Sequence, residues 1–74
     1  MKLQQIRTER GLSQLQLSQL TGIPKQSIQR YEIGYRNIDG ANLNNLCKFA
    51  AALDCKIYDI IEDDELIALL KKVI

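Results

Sequence analysis

The chain has no histidine, and its two cysteines, Cys47 and Cys55, stand eight residues apart with no CxxC pair. Structural and catalytic metal centres draw their ligands mainly from those residue types at short spacings, so no metal site is expected. There is also no glycine-rich phosphate loop and no grouping of base, nucleophile and orienting residue. An enzyme is therefore not expected, and neither is a cofactor. One proline and four glycines in 74 residues leave no flexible linker. No run of 18 apolar residues exists to span a membrane. The opening MKLQQIRTER carries no apolar stretch behind Lys2, which argues against a secretory leader and makes the cytoplasm the expected compartment. Both cysteines fall inside apolar patterns, where a free thiol usually behaves as a small buried hydrophobe.

What is present fits one small folded domain. A chain of this size buries only about 60% of its unfolded surface, enough for a single core. The hydrophobic fraction of 46% argues against disorder. Net charge is only +1, but it is unevenly spread. Residues 1–36 carry Lys2, Arg7, Arg10, Lys25, Arg30 and Arg36 against Glu9 and Glu32, a balance of +4, and residues 37–74 carry a balance of −3. Such asymmetry fits one face that meets an anion, although surface charges also cluster by chance.

The pattern along the chain is helical throughout, with no β-type alternation, and predicts an all-α fold of five or six helices. Leu3 and Ile6 mark the inner side of a first helix near residues 1–10, ended by Gly11. Ser13 is a strong N-cap. Gln16 three residues later completes a capping box, and Leu12 with Leu17 makes a hydrophobic staple. Leu17 and Leu20 keep helical spacing, while Leu15 falls off that stripe and is expected to be partly exposed. Gly22 is placed for the positive φ of a tight inter-helix turn, and the small Ser18 lets the next helix cross closely. Ile23 returns to the core. Pro24 opens a third helix, with Ile28 and Tyr31 facing inward and Lys25, Gln26, Gln29 and Arg30 facing outward, and Gly34 ends it. Residues 35–40 read as a turn from which Asn37 or Asp39 caps a fourth helix. That helix runs to about Leu53 with the stripe Leu43, Leu46, Phe49, Ala50 and Leu53. Ile57, Ile60 and Ile61 suggest a short fifth helix. In the last segment, Glu62–Glu65 place acids and Lys71–Lys72 place bases to suit a helix dipole.

Taken together, Gln14–Gly34 is a short helix, a tight turn and a second short helix that opens on polar residues. That is the geometry of a helix-turn-helix, whose second helix enters the DNA major groove. Over roughly residues 2–61 the chain resembles the phage-repressor-like helix-turn-helix family (Xre, Cro/C1 type), through IRTERGLSQLQLSQLTGI, QSIQRYEIG and LCKFAAALDCKIYDII in that order. The resemblance implies a compact five-helix bundle. It departs from the family pattern in a longer connection from Gly34 to Leu46, in Pro24 where a serine or threonine cap is usual, and in Asp54 where glycine is usual. The expected division is a helix-turn-helix domain over residues 1–61 and a C-terminal helix over 62–74.

Residues 24–33 would form the recognition helix. Gln26 matches a family position that reads bases, and its amide offers the donor and acceptor that adenine N6 and N7 complement. Lys25 and Arg30 either read guanine O6/N7 or bind phosphate, Gln29 is a further base reader, and Ser27 donates to a base or a phosphate. Gln14 stands at the start of the second helix, where backbone N–H groups attract phosphate, and the resemblance implies that it also buttresses the recognition helix. Tyr35 and Arg36 are expected on the DNA backbone. The resemblance further implies that Arg7 pairs with Glu32 as a structural contact, either buried or exposed.

These readings point to a sequence-specific transcriptional regulator, of repressor type, on a double-stranded DNA operator. Two alternatives stand beside it: an antitoxin whose acidic, apolar tail meets a toxin protein, and an interaction module that has lost DNA binding. The segment ELIALLKKVI either completes the monomer core or forms a homodimer interface, and six apolar residues in ten favour the homodimer. Dimers of this motif read half-sites about 34 Å apart.

Overall fold

The boundaries of the helices follow from local chemistry. The computed structural model describes residues 1–73. Five α-helices, α1 (Lys2–Glu9), α2 (Gln14–Thr21), α3 (Lys25–Glu32), α4 (Leu43–Leu53) and α5 (Asp64–Val73), are joined with two 3-10 turns, Ile38–Gly40 and Ile57–Asp59. No strand occurs among the described residues. The fold is all-α, as the periodicity predicts. At the start of α2, the Gln16 N–H donates to Ser13 Oγ at 3.0 Å and the Ser13 N–H donates to Gln16 Oε1 at 2.8 Å, the reciprocal pair of a capping box. Gly22 closes α2 at φ +75°, which a side chain would resist. Its N–H donates to the Ser18 carbonyl, and Ser18 Oγ donates to the Ile23 carbonyl at 2.6 Å, so the turn between α2 and α3 is fastened from both sides.

One core unites the elements: Leu3, Leu17, Ile23, Ile28, Tyr31, Ile38, Leu46, Phe49, Leu53, Ile60 and Ile61. The Tyr31 and Phe49 rings meet edge to face at 6.0 Å and 86°, which ties α3 to α4. Leu66, Ile67 and Leu70 bring α5 against this cluster. Arg10 ties α1 to the far end of α4, its Nε donating to the Leu53 carbonyl at 2.8 Å, one of the acceptors a helix end leaves free.

Several expectations are corrected. Leu20 lies 61% exposed, because α2 packs along Leu17 and Thr21 and Leu20 sits on the flank of that face. Leu43 keeps the α4 stripe but, in the first turn, lies beyond the core and is 67% exposed. Cys47 is exposed, one step around α4 from buried Leu46, whereas Cys55 is half-buried against the core. Neither Asn37 nor Asp39 caps α4. Asn42 does, its side chain accepting from the Asn45 N–H. Asn37 caps the first 3-10 turn instead, and the Asp39 carboxylate reaches across the fold to accept from the N–H groups of Glu62 (2.8 Å) and Asp63 (3.0 Å). Ile57, Ile60 and Ile61 form no α-helix, only the 3-10 turn Ile57–Asp59 and the buried residues behind it. Pro24 is the N-cap of α3, one position before the first helical residue. Of the apolar residues read in the last segment, Ile74 lies outside the described residues.

Candidate nucleic-acid interface

The geometry of α3 separates two sets of side chains. At about 100° per residue, Lys25, Gln29, Gln26 and Arg30 fall within an arc of about 140°, and all four are exposed. The opposite arc carries Ile28 and Tyr31, both buried, and Glu32 lies between the two sides, about 20° around the axis from Lys25. The helix is thus a rod with an apolar keel and a polar outer side. Ile33, which keeps helical backbone angles just past the end of α3, falls on the same outer arc and is exposed. Its spacing of four from Gln29 and seven from Gln26 marks it for that arc in the sequence.

Three cations edge this side: Lys25, Arg30 and Arg36. The one acid in the segment, Glu32, is turned inward and matched. Arg7 Nε donates to Glu32 Oε2 at 2.7 Å and Arg7 Nη2 donates to Oε1 at 2.9 Å, with the two side chains 10% and 2% exposed. Gln14 Nε2 donates to the same Oε1 at 2.9 Å, and Arg7 Nη1 donates to the Leu12 carbonyl at 2.7 Å. One carboxylate therefore joins α1, α2 and α3. The negative charge that would repel a phosphate is consumed inside the fold, and α3 is held at three points.

The other singled-out residues are placed as follows. Gln14 is half-buried at the first position of α2, with its amide nitrogen committed to Glu32. The Gln16 and Leu17 N–H groups are taken by Ser13, which leaves those of Gln14 and Leu15 pointing out of the helix end. Ser27 is half-buried at the edge of the outer arc. Tyr35 is exposed, and the Arg36 guanidinium lies 5.4 Å from the centre of the Tyr31 ring while the Arg36 backbone N–H donates to the Arg30 carbonyl. That stack fixes Arg36 beside the end of α3. Lys25, Gln26, Gln29, Arg30, Arg36 and the α2 N-terminus are thus gathered around one helix, with Ser27 and Tyr35 at its margins.

Among the described residues, no group of three or more acidic, cysteine or histidine side chains could hold a metal ion. No described helix is long and apolar enough to cross a membrane. Neither a curated protein nor a solved structure matches the chain. A family model described as helix-turn-helix matches residues 3–60. With α2, the Gly22 turn and α3 inside the matched span, the chain belongs to the helix-turn-helix family of DNA-binding regulators, of the phage-repressor-like (Xre, Cro/C1) type.

Proposed function

We propose that this protein is a sequence-specific transcriptional repressor that reads double-stranded operator DNA with α3 in the major groove. The observation that carries the proposal is the segregation on α3: two amides and two cations on the outer arc, apolar anchors on the inner one. Gln26 and Gln29 are assigned to base edges, where a side-chain amide presents a donor and an acceptor together to adenine. Lys25 and Arg30 are assigned to guanine O6/N7, with phosphate as their other partner. A good bidentate contact of this kind is worth about 1–3 kcal/mol of discrimination. Exposed Ile33 on the same arc suits the methyl group of a thymine. The free N–H groups at the start of α2, with Ser27, Tyr35 and Arg36, are assigned to the DNA backbone. Such contacts set register without reading sequence. Repression then follows from occupancy of the operator.

The test is a binding assay on operator DNA recovered by selection from random duplexes. The double variant Gln26→Ala/Arg30→Ala is expected to lose operator binding while its melting temperature stays near wild type, since both side chains are exposed. Lys25→Ala alone weakens binding and flattens its salt dependence if that lysine meets phosphate, and relaxes the preferred sequence at one base pair if it meets guanine. Full operator binding by the double variant would remove α3 as the reading element.

A further inference from the structure

Two thiols meet at a place the DNA reading does not use. Cys47 stands on the exposed side of α4, and Cys55 lies half-buried just beyond the end of that helix. Eight residues of unbroken helix would carry them about 12 Å apart along the axis. The chain does not continue that way. Asp54 takes the left-handed conformation at φ 52° and turns it back, so that the Cys55 N–H donates to the Ala50 carbonyl at 3.0 Å. Cys55 is thereby set against Ala50. Ala50 in turn neighbours Cys47 at i, i+3, where side chains stand about 5–6 Å apart. Both cysteines line one open-sided cavity of about 290 Å³, with Ala50 and Ile57 as its apolar wall.

The two thiols differ in a way that suits them to act in sequence. Cys47 is open to solvent, whereas burial and the neighbouring Asp59 and Asp54 carboxylates hold the proton on Cys55. A reagent from solution therefore meets Cys47 first, and Cys55 reacts with what Cys47 has become. The segment that must shift to bring the sulfurs together is the one hinged at Asp54. A non-glycine residue already held in the left-handed region gives up little on leaving it.

We infer that Cys47 and Cys55 form an oxidation site, closed to an intramolecular disulfide by a low-molecular-weight disulfide of the glutathione type. The Cys47 thiolate attacks one sulfur of that oxidant and expels the other as a thiolate. The Cys55 thiol gives its proton to water and attacks the Cys47 sulfur of the mixed disulfide, expelling the second thiolate. Two protein thiols are oxidised and one disulfide is reduced to two thiols. The new bond ties down the end of α4 that Arg10 fastens to α1.

This inference is independent of the reading of α3, because the test contains no DNA. The full chain is equilibrated with mixtures of reduced and oxidised glutathione, both folded and unfolded in urea, with circular dichroism to verify each state. Free thiols are then blocked, and the products are followed by intact mass and tryptic mapping. The folded chain is expected to stay monomeric and lose both thiols, with residues 37–48 linked to 49–56. The effective concentration of Cys55 toward Cys47 should be about tenfold or more above that of the unfolded chain, where only their closeness in sequence acts. Cys55→Ser is expected to stop at a glutathione adduct on Cys47, and Cys47→Ser to stay largely unmodified. A folded value no higher than the unfolded one would overturn the inference. So would Cys47 linking two copies in preference to Cys55, or Cys47→Ser forming its adduct as readily as Cys55→Ser.

Discussion

Glu32 is the most exacting place to perturb this molecule. Its carboxylate is almost wholly enclosed and is held by Arg7 through two hydrogen bonds and by Gln14 through one. Arg7→Met removes the cation and leaves a buried charge with one amide donor. Breaking a buried pair in this way costs about 3–5 kcal/mol. A domain of this length has a total stability of about 4–11 kcal/mol, so the variant loses between about a quarter and all of it. At about 4–8 °C per kcal/mol, its melting temperature falls by roughly 12–40 °C. Glu32→Met is expected to cost a similar amount, because the Arg7 guanidinium then retains only the Leu12 carbonyl. The double variant Arg7→Met/Glu32→Met buries no orphaned charge and is expected to be more stable than either single one. Urea unfolding followed by circular dichroism measures all three, with unchanged m-values confirming a shared two-state transition. Single variants costing under about 1 kcal/mol, or a double variant costing the sum of the two, would show that the pair behaves as an exposed, independent contact.

Two further outcomes follow from the structure. Asp54 ends α4 in the left-handed region at φ 52°, so Asp54→Gly is expected to raise stability by about 0.5–1 kcal/mol in thermal melts, and an unchanged or lower melting temperature would mean the aspartate is not strained there. Burial first, then the Asp59 and Asp54 carboxylates, push the Cys55 thiol up against the lowering pull of Arg10. Below the ordinary thiol range of about 8.5 both folded and unfolded chains keep this proton. Above it the unfolded chain ionises first, so Cys55 contributes a loss of stability as pH rises through that range. Iodoacetamide with peptide mapping at mildly alkaline pH should accordingly modify exposed Cys47 well before Cys55, and equal rates would contradict the difference in burial.

The parts legible in the sequence are those fixed by neighbours in the chain. The Ser13–Gln16 capping box, the Gly22 turn and the inward pair Ile28 and Tyr31 need only three or four residues of context, and each is found where the pattern puts it. The segregation on α3 follows from the same local arithmetic. What stayed hidden depends on contacts between distant residues. Nothing near Asp39 in the chain tells that its carboxylate turns to Glu62 and Asp63, so its neighbours alone place the cap of α4 earlier than Asn42, where it stands. Arg10 reads as one more surface cation until the Leu53 carbonyl is beside it. Leu20 and Leu43 fit helical spacing, but how far a stripe extends beyond the core is decided by the neighbouring elements, not by the stripe.

The Asp39 clamp has a consequence for how the molecule loosens. The Lys2 N–H donates to the Glu62 side chain at 2.7 Å, while the Glu62 and Asp63 N–H groups are gripped by Asp39. The first turn of the chain, its midpoint and the approach to its last helix are therefore knotted at a single spot on the surface. Release of the first turn of α1 and of the segment leading into α5 is therefore coupled, since each is held through Glu62.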